Sequence, residues 1–273
     1  MNLKGKVAVV TGAGAGIGRA VCLSLAAKGA RVVAADLMED WAVETAKRVR
    51  EAGGQSEPFR VDVTREDDLK ALLEFTEKTF GGMDVLLNNA GILGGPRFPD
   101  AHPRYWQRAV DVNVLGVAYG IHHGVPLLRR RGGGVIVNTG STAGFKPHLI
   151  DPMYAATKAA VVNLTRSLTF LKEECGIRVN CVCPALVETA LEDNTGADFD
   201  ENSKKDFVGR RTVRRGHPRL APEDVAGAML ELIEDDSLNG ISYTLALGQP
   251  WEKIPSPAPQ PIIPTQSTDR ASA

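Results

Sequence analysis

Little in this chain pulls it toward a partner other than a small molecule. Its 33 acidic side chains nearly cancel 32 basic ones, leaving a formal net charge of −1. No global field then draws it to nucleic acid or membrane. Only four cysteines occur, Cys22, Cys175, Cys181 and Cys183, with no C-x-x-C spacing; all are expected to be reduced and mostly buried. No apolar run approaches the ~20 residues of a membrane helix, and no signal peptide precedes the first strand, so a cytoplasmic protein is expected. His122-His123 has no carboxylate–histidine cluster near it in sequence, and helix neighbours diverge, so no metal is expected. No composition break divides the chain, which reads as one domain over residues 1–249.

What is present alternates. Strand-like runs at 6–11, 31–36, 57–61, 84–90, 134–141, 177–184 and 241–246 are separated by helical stretches. The pattern implies an α/β fold, a Rossmann-like doubly wound parallel sheet of about seven strands with helices on both faces. A long helical stretch at about 104–131 is expected to break near Asn113 to Gly116, and another helix is expected over 152–175. Residues 188–217 are charged and turn-rich and read as a mobile substrate lid. Residues 250–273 are rich in Pro, Ser and Gln and read as a disordered or extended tail.

TGAGAGIG, residues 11–18, follows the first strand and opens the first helix. Gly12, Gly16 and Gly18 let the backbone approach a diphosphate at a helix N-terminus. An acid, Asp36, stands 18 residues after Gly18, at the end of the second strand. A carboxylate there accepts from an adenosine ribose and repels a 2′-phosphate, so NAD rather than NADP is expected. Arg19 is the residue that argues the other way. Further on, YAATK places Tyr154 and Lys158 one helical turn apart on one face. An ammonium there favours phenolate. Lowering a phenol from about 10 to about 7 takes roughly 4 kcal/mol, the order that one charge at ~4 Å supplies at an effective dielectric near 20.

With Asn88, Asn89, Ala90 and Gly91 after the fourth strand and Ser141 after the fifth, the chain resembles the short-chain dehydrogenase/reductase family over about residues 5–248. The resemblance implies a catalytic constellation of Asn113, Ser141, Tyr154 and Lys158. Tyr154 would be the acid/base, Ser141 would hold the substrate oxygen, Lys158 would grip the nicotinamide ribose, and Asn113 would hold a water. The implied cofactor set is Gly12, Gly14, Ala15, Gly16, Ile17, Gly18, Asp36, Leu37, Asp62, Val63, Asn89, Ala90, Gly91, Tyr154, Lys158, Pro184, Val187 and Thr189. The substrate set is Leu93, Ser141, Thr142, Phe145, His148, Tyr154 and Leu186, with Lys146, His148 and Asp151 making the rim polar. One departure is Pro184-Ala185 where the family usually has Pro-Gly. LIEDDSLNG, residues 232–240, is similar to the 15-hydroxyprostaglandin dehydrogenase branch, which uses NAD.

These readings converge on hydride transfer between a secondary alcohol, or its ketone, and NAD. A carbonyl reductase is the nearest alternative, and a non-catalytic NAD-binding protein a more distant one. The resemblance also implies a homodimer or homotetramer through the helices at about 104–131 and 152–175. The basic run Arg210, Arg211, Arg214 and Arg215 is a candidate for an anionic substrate group or for pairing with the acidic stretch 192–201. RRRGGG at 129–134 reads as a helix C-terminus, and Trp41, Trp106 and Trp251 as packing residues.

Overall fold

A computed structural model describes residues 1–189, 191, 195, 199–212 and 217–257. Buried apolar runs build the centre of the sheet. Every residue of β1 (Val7–Thr11), β4 (Val85–Asn88), β5 (Gly134–Thr139) and β6 (Ile177–Pro184) is buried, as parallel strands covered on both faces require. With β2 (Arg31–Asp36), β3 (Gln55–Arg60), β7 (Ser242–Leu245) and β8 (Glu252–Ile254), they form one sheet in the order β3-β2-β1-β4-β5-β6-β7-β8. All neighbours are parallel except β7 and β8. The order reverses between β1 and β4, which opens a crevice above their carboxyl ends.

Side-chain alternation sorts the two faces. Ala8, Val10, Val135, Val137 and Val182 pack in one cluster with residues of α1 (Gly16–Ala27), α2 (Glu39–Glu51) and a helix at Pro222–Glu234. Val9, Ile136, Val179, Cys181 and Cys183 point the other way. They meet residues of α3 (Glu66–Phe80), α5 (Gly116–Arg130) and α6 (Pro152–Ser167). The four cysteines are free thiols, and three of them are buried. Among the described residues, no helix is long and apolar enough to cross a membrane.

Three local features depart from the sequence pattern or sharpen it. The helical stretch before β5 is α4 (Pro103–Val110), then a π-helical turn (Asp111–Leu115), then α5. The turn brings Asn113 inward, as a break at that residue implies. The helix expected over 152–175 is two helices, α6 and α7 (Leu171–Cys175), because the chain leaves helical hydrogen bonding at Leu168. β8 lies in the stretch assigned to the tail, so the sheet extends past residue 249. Among the described residues, α8 (Glu201–Thr212) and α9 (Pro222–Glu234) come after β6. The tail beyond 257, and the arginines at 214 and 215, lie outside the described residues, as do the side chains of Arg210 and Arg211.

Candidate active site

The crevice is a cavity of about 1070 Å³, at the upper end of the range for small-molecule sites. Its floor at one end is the turn between β1 and α1. A side chain at Gly18 would put its Cβ 2.0 Å from the Gly12 carbonyl oxygen, so only glycine lets this helix start so tightly on the turn. Gly12, Ala15, Gly16, Ile17 and Gly18 line the cavity here. Gly14 does not; its N–H donates to the Asp36 carboxylate at 2.8 Å. The other Asp36 oxygen accepts from Met38 N–H at 3.0 Å. Two backbone donors thus fix Asp36 at the cavity wall beside Leu37. Arg19 is not among the lining residues; it donates to the Gly14 carbonyl and to Thr45 Oγ1.

The turn is braced from the next strands. Asn89 Nδ2 donates to the Thr11 and Gly12 carbonyls at 3.0 and 3.1 Å, and its Oδ1 accepts from Thr139 Oγ1 at 3.3 Å. Asn89 therefore ties the ends of β1, β4 and β5 together. Asp62, Val63, Asn89, Ala90 and Gly91 all border the cavity. On the far side it is bordered by Pro184, Leu186, Val187 and Thr189. Among the described residues, no non-glycine residue has positive φ, so Ala185 fits where glycine was the expected residue; its N–H donates to the Leu245 carbonyl.

Tyr154 and Lys158 come from the first turns of α6. Asp151 caps that helix: Oδ1 accepts from Tyr154 N–H at 3.0 Å and Oδ2 from Gly94 N–H at 2.9 Å. Asp151 is thus a buried cap and does not line the cavity, which corrects its expected place on the polar rim. The Lys158 ammonium lies 5.7 Å from the Tyr154 ring centre and donates to the Thr139 carbonyl at 2.8 Å. Burial lowers Lys158 from 10.5 to about 8, against the opposing pull of Cys181 and Cys183. Those two sulfurs stand 3.5 Å apart on the α6 face of β6.

Ser141 is buried at the end of β5. It donates to the Pro184 carbonyl at 3.3 Å and accepts from Ala143 N–H at 3.1 Å, starting a 3₁₀ turn (Thr142–Phe145). Ser141, Thr142, Tyr154 and Lys158 share the cavity with Leu93, His148 and Leu186. Asn113 does not line it. Its amide accepts from Ile92 N–H at 2.9 Å and donates to the Ile92 carbonyl and to Thr157 Oγ1 at 2.8 and 3.0 Å. It holds the strand-end loop against α6 from behind. Phe145, expected in the substrate wall, lies instead beside the Arg166 guanidinium, 5.3 Å from its ring centre.

Sequence reasoning missed several lining residues. Trp41, read as packing, borders the cavity near Asp36, its Cβ 2.7 Å from where a Gly14 Cβ would lie. Met38, Thr64, Ile92, Arg108, Asp111, His217 and Arg219 line it as well. Its place in the first turn of α2, just after Asp36, was the available signal for Trp41. His217 and Arg219 carried none, since their place depends on a bridge between Leu220 and Val187. Elsewhere, Glu66 supplies the carboxylate that sequence did not place near His122-His123, standing 3.1 Å from His123 Nε2 on the outer surface.

The arrangement fits a dinucleotide. The glycine turn accommodates phosphates, and Asp36 suits a ribose with free hydroxyls. A match to the short chain dehydrogenase family covers residues 6–200. The chain belongs to this family. It is 38% identical to a cis-4-hydroxycyclohexanecarboxylate dehydrogenase of Sinomonas cyclohexanicum, over 89% of this chain and 94% of that one. It is 32% identical to the human NAD(+) 15-hydroxyprostaglandin dehydrogenase, over 88% and 90%. A short chain dehydrogenase/reductase from Burkholderia phymatum, solved in complex with NAD, superposes with a TM-score of 0.78 at 31% identity, over 85% and 87%.

Lys158 should weaken the fold that it serves. The folded chain releases this proton near pH 8 and the unfolded chain near 10.5. The unfolded state therefore binds more protons between those values, and stability rises with pH across that window. Lys158→Met is expected to stabilise the protein by about 1–3 kcal/mol at pH 7, read by urea denaturation. A gain that does not shrink from pH 7 to pH 10 would refute this.

Proposed function

We propose that the protein oxidises a secondary alcohol, carried on a ring, with NAD. The observation that carries this is that Tyr154, with the Lys158 ammonium near its ring, and Ser141 line one cavity that begins at the glycine turn beside Asp36. In the proposal Gly12, Gly16 and Gly18 admit the diphosphate, Asp36 holds the adenosine ribose, and Lys158 holds the second ribose. Bound NAD supplies the hydride acceptor. Ser141 donates to the substrate oxygen, and Tyr154 takes the alcohol proton. A charge 5.7 Å from the ring centre favours the phenolate by an amount on the order of 3 kcal/mol at an effective dielectric near 20. The same groups run the reduction of a ketone. A ring-borne carbinol agrees with the name of the Sinomonas relative and with the apolar walls Leu93 and Leu186. A cytoplasmic location belongs to the same proposal and suits four free thiols.

NADH formation from cycloalkanols is the test. Activity is expected with NAD, at least tenfold above that with NADP, and lost in Tyr154→Phe. Preference for NADP would refute the reading of Asp36.

Residues 188–217 act as the substrate lid in this proposal. Phe199 and Phe207 pack on Tyr105 and Leu93, and Tyr105 Oη donates to Asp200 Oδ2 at 2.6 Å. The bonds from Tyr105 and Ser203 hold the Asp200 carboxyl well below the usual range. Tyr105→Phe keeps the ring and removes the latch. It is expected to raise KM about fivefold, the scale of one hydrogen bond of ~1 kcal/mol, with little change in Tm. An unchanged KM would count against the lid.

A homodimer or homotetramer through α4–α5 and α6–α7 completes the proposal, in line with exposed Leu115 in the π-helical turn before α5 and exposed Phe170 just before α7. Light scattering should return two or four times the 29.2 kDa chain mass; one chain mass would exclude it.

A further inference from the structure

We infer that the substrate carries an acidic group, a carboxylate or similar oxyanion, received by Lys146 at the mouth of the cavity. The inference rests on the dehydrogenase reading and concerns the same site. Ser141 and Tyr154 are joined by a 12-residue segment that forms one side of the substrate end. Lys146 lies on it just past the 3₁₀ turn, exposed and bordering the cavity. Among the described residues, no acid forms an ion pair with its ammonium.

The acid on the same segment is withdrawn from the mouth. Asp151 is 4% exposed, and its two oxygens are taken by Tyr154 N–H and Gly94 N–H. His148 borders the cavity, and its Nδ1 accepts from Asp151 N–H at 3.1 Å. A ring that accepts at Nδ1 carries its proton on Nε2. His217 and Arg219 reach the cavity from the return of the lid. The acids that line the cavity are placed otherwise. Asp36 ends β2 and Asp62 follows β3, across the crevice from β5 and β6, and Asp111 stands three residues from Arg108 on one helical stretch. Lys146 therefore stands at the substrate end with no carboxylate partner among the described residues. An anion complements it, and a neutral alcohol leaves Lys146 facing water.

Matched substrates separate the cases: 4-hydroxycyclohexanecarboxylate and its methyl ester, with NAD saturating. The acid is expected to have the lower KM, with an advantage that shrinks as salt rises. Lys146→Gln should lower the acid-over-ester ratio of kcat/KM about fivefold, through KM, the effect of one partly exposed pair. Lys146→Arg should restore it. Equal KM values for acid and ester, or an unchanged ratio in Lys146→Gln, would overturn the inference. Binding of cyclohexanecarboxylate against cyclohexanecarboxamide to the enzyme–NADH complex, read by NADH fluorescence, decides the question without turnover. If neither alcohol is oxidised but Lys146→Gln weakens only the acid, the ring-alcohol reading fails and the anion site stands. If acid and amide bind alike, the anion site fails.

Discussion

Lys158 holds its ammonium where the described residues offer the Thr139 carbonyl and two thiols, and no carboxylate. A cation so placed is costly, and the surroundings are built to keep it there. Gly140 must lack a side chain, since a Cβ would lie 2.8 Å from both Cys181 Sγ and Cys183 Sγ. The small residue lets β5 and β6 close over α6 with the sulfurs against the lysine. Thr157, one residue earlier, is tied through Asn113 to Ile92. The cofactor-facing loop after β4 and the helix carrying Tyr154 therefore move together. With no acid beside the lysine, its charge acts on the phenol above it.

Two carboxylates do structural work that gives this arrangement its precision. Asp151 joins the N-terminus of α6 to Gly94, so the helix that carries the tyrosine is anchored to the loop that borders the substrate. Asp36 is shaped by Gly14 and Met38 before any ribose arrives. Preorganised groups of this kind avoid reorganisation when the cofactor and substrate bind. The segment after β6 is different in character. Its hold on α4 is an aromatic cluster with a surface hydrogen bond, contacts that release more readily than the buried bonds beneath the lysine.

Much of this was legible in the residues. Fully buried parallel strands need unbroken apolar runs, so β1, β4, β5 and β6 announced themselves, and the break at Asn113 was visible as a polar residue inside a helical stretch. Asp151-Pro152 has the form of a helix cap, yet beside Lys146 and His148 it read as a polar rim; its partner Gly94 is 57 residues away. β8 was hidden because three residues in a proline-rich tail gain strand character only by pairing with β7. Phe145 and Trp41 exchanged roles because a ring's direction depends on tertiary neighbours, Arg166 in one case and Asp36 in the other. Glu66 meets His123 across 57 residues, a contact that no local pattern encodes.

The most direct test of the buried-cation account is the pH dependence of single-turnover hydride transfer, with NAD and alcohol saturating, in the wild type and in Lys158→Met. The account has the lysine charge setting the acid limb of that profile, so the limb should move up by at least one pH unit when the charge is removed. If the rate falls in the variant while the acid limb stays in place, Lys158 serves only to position the cofactor, and the electrostatic account is wrong.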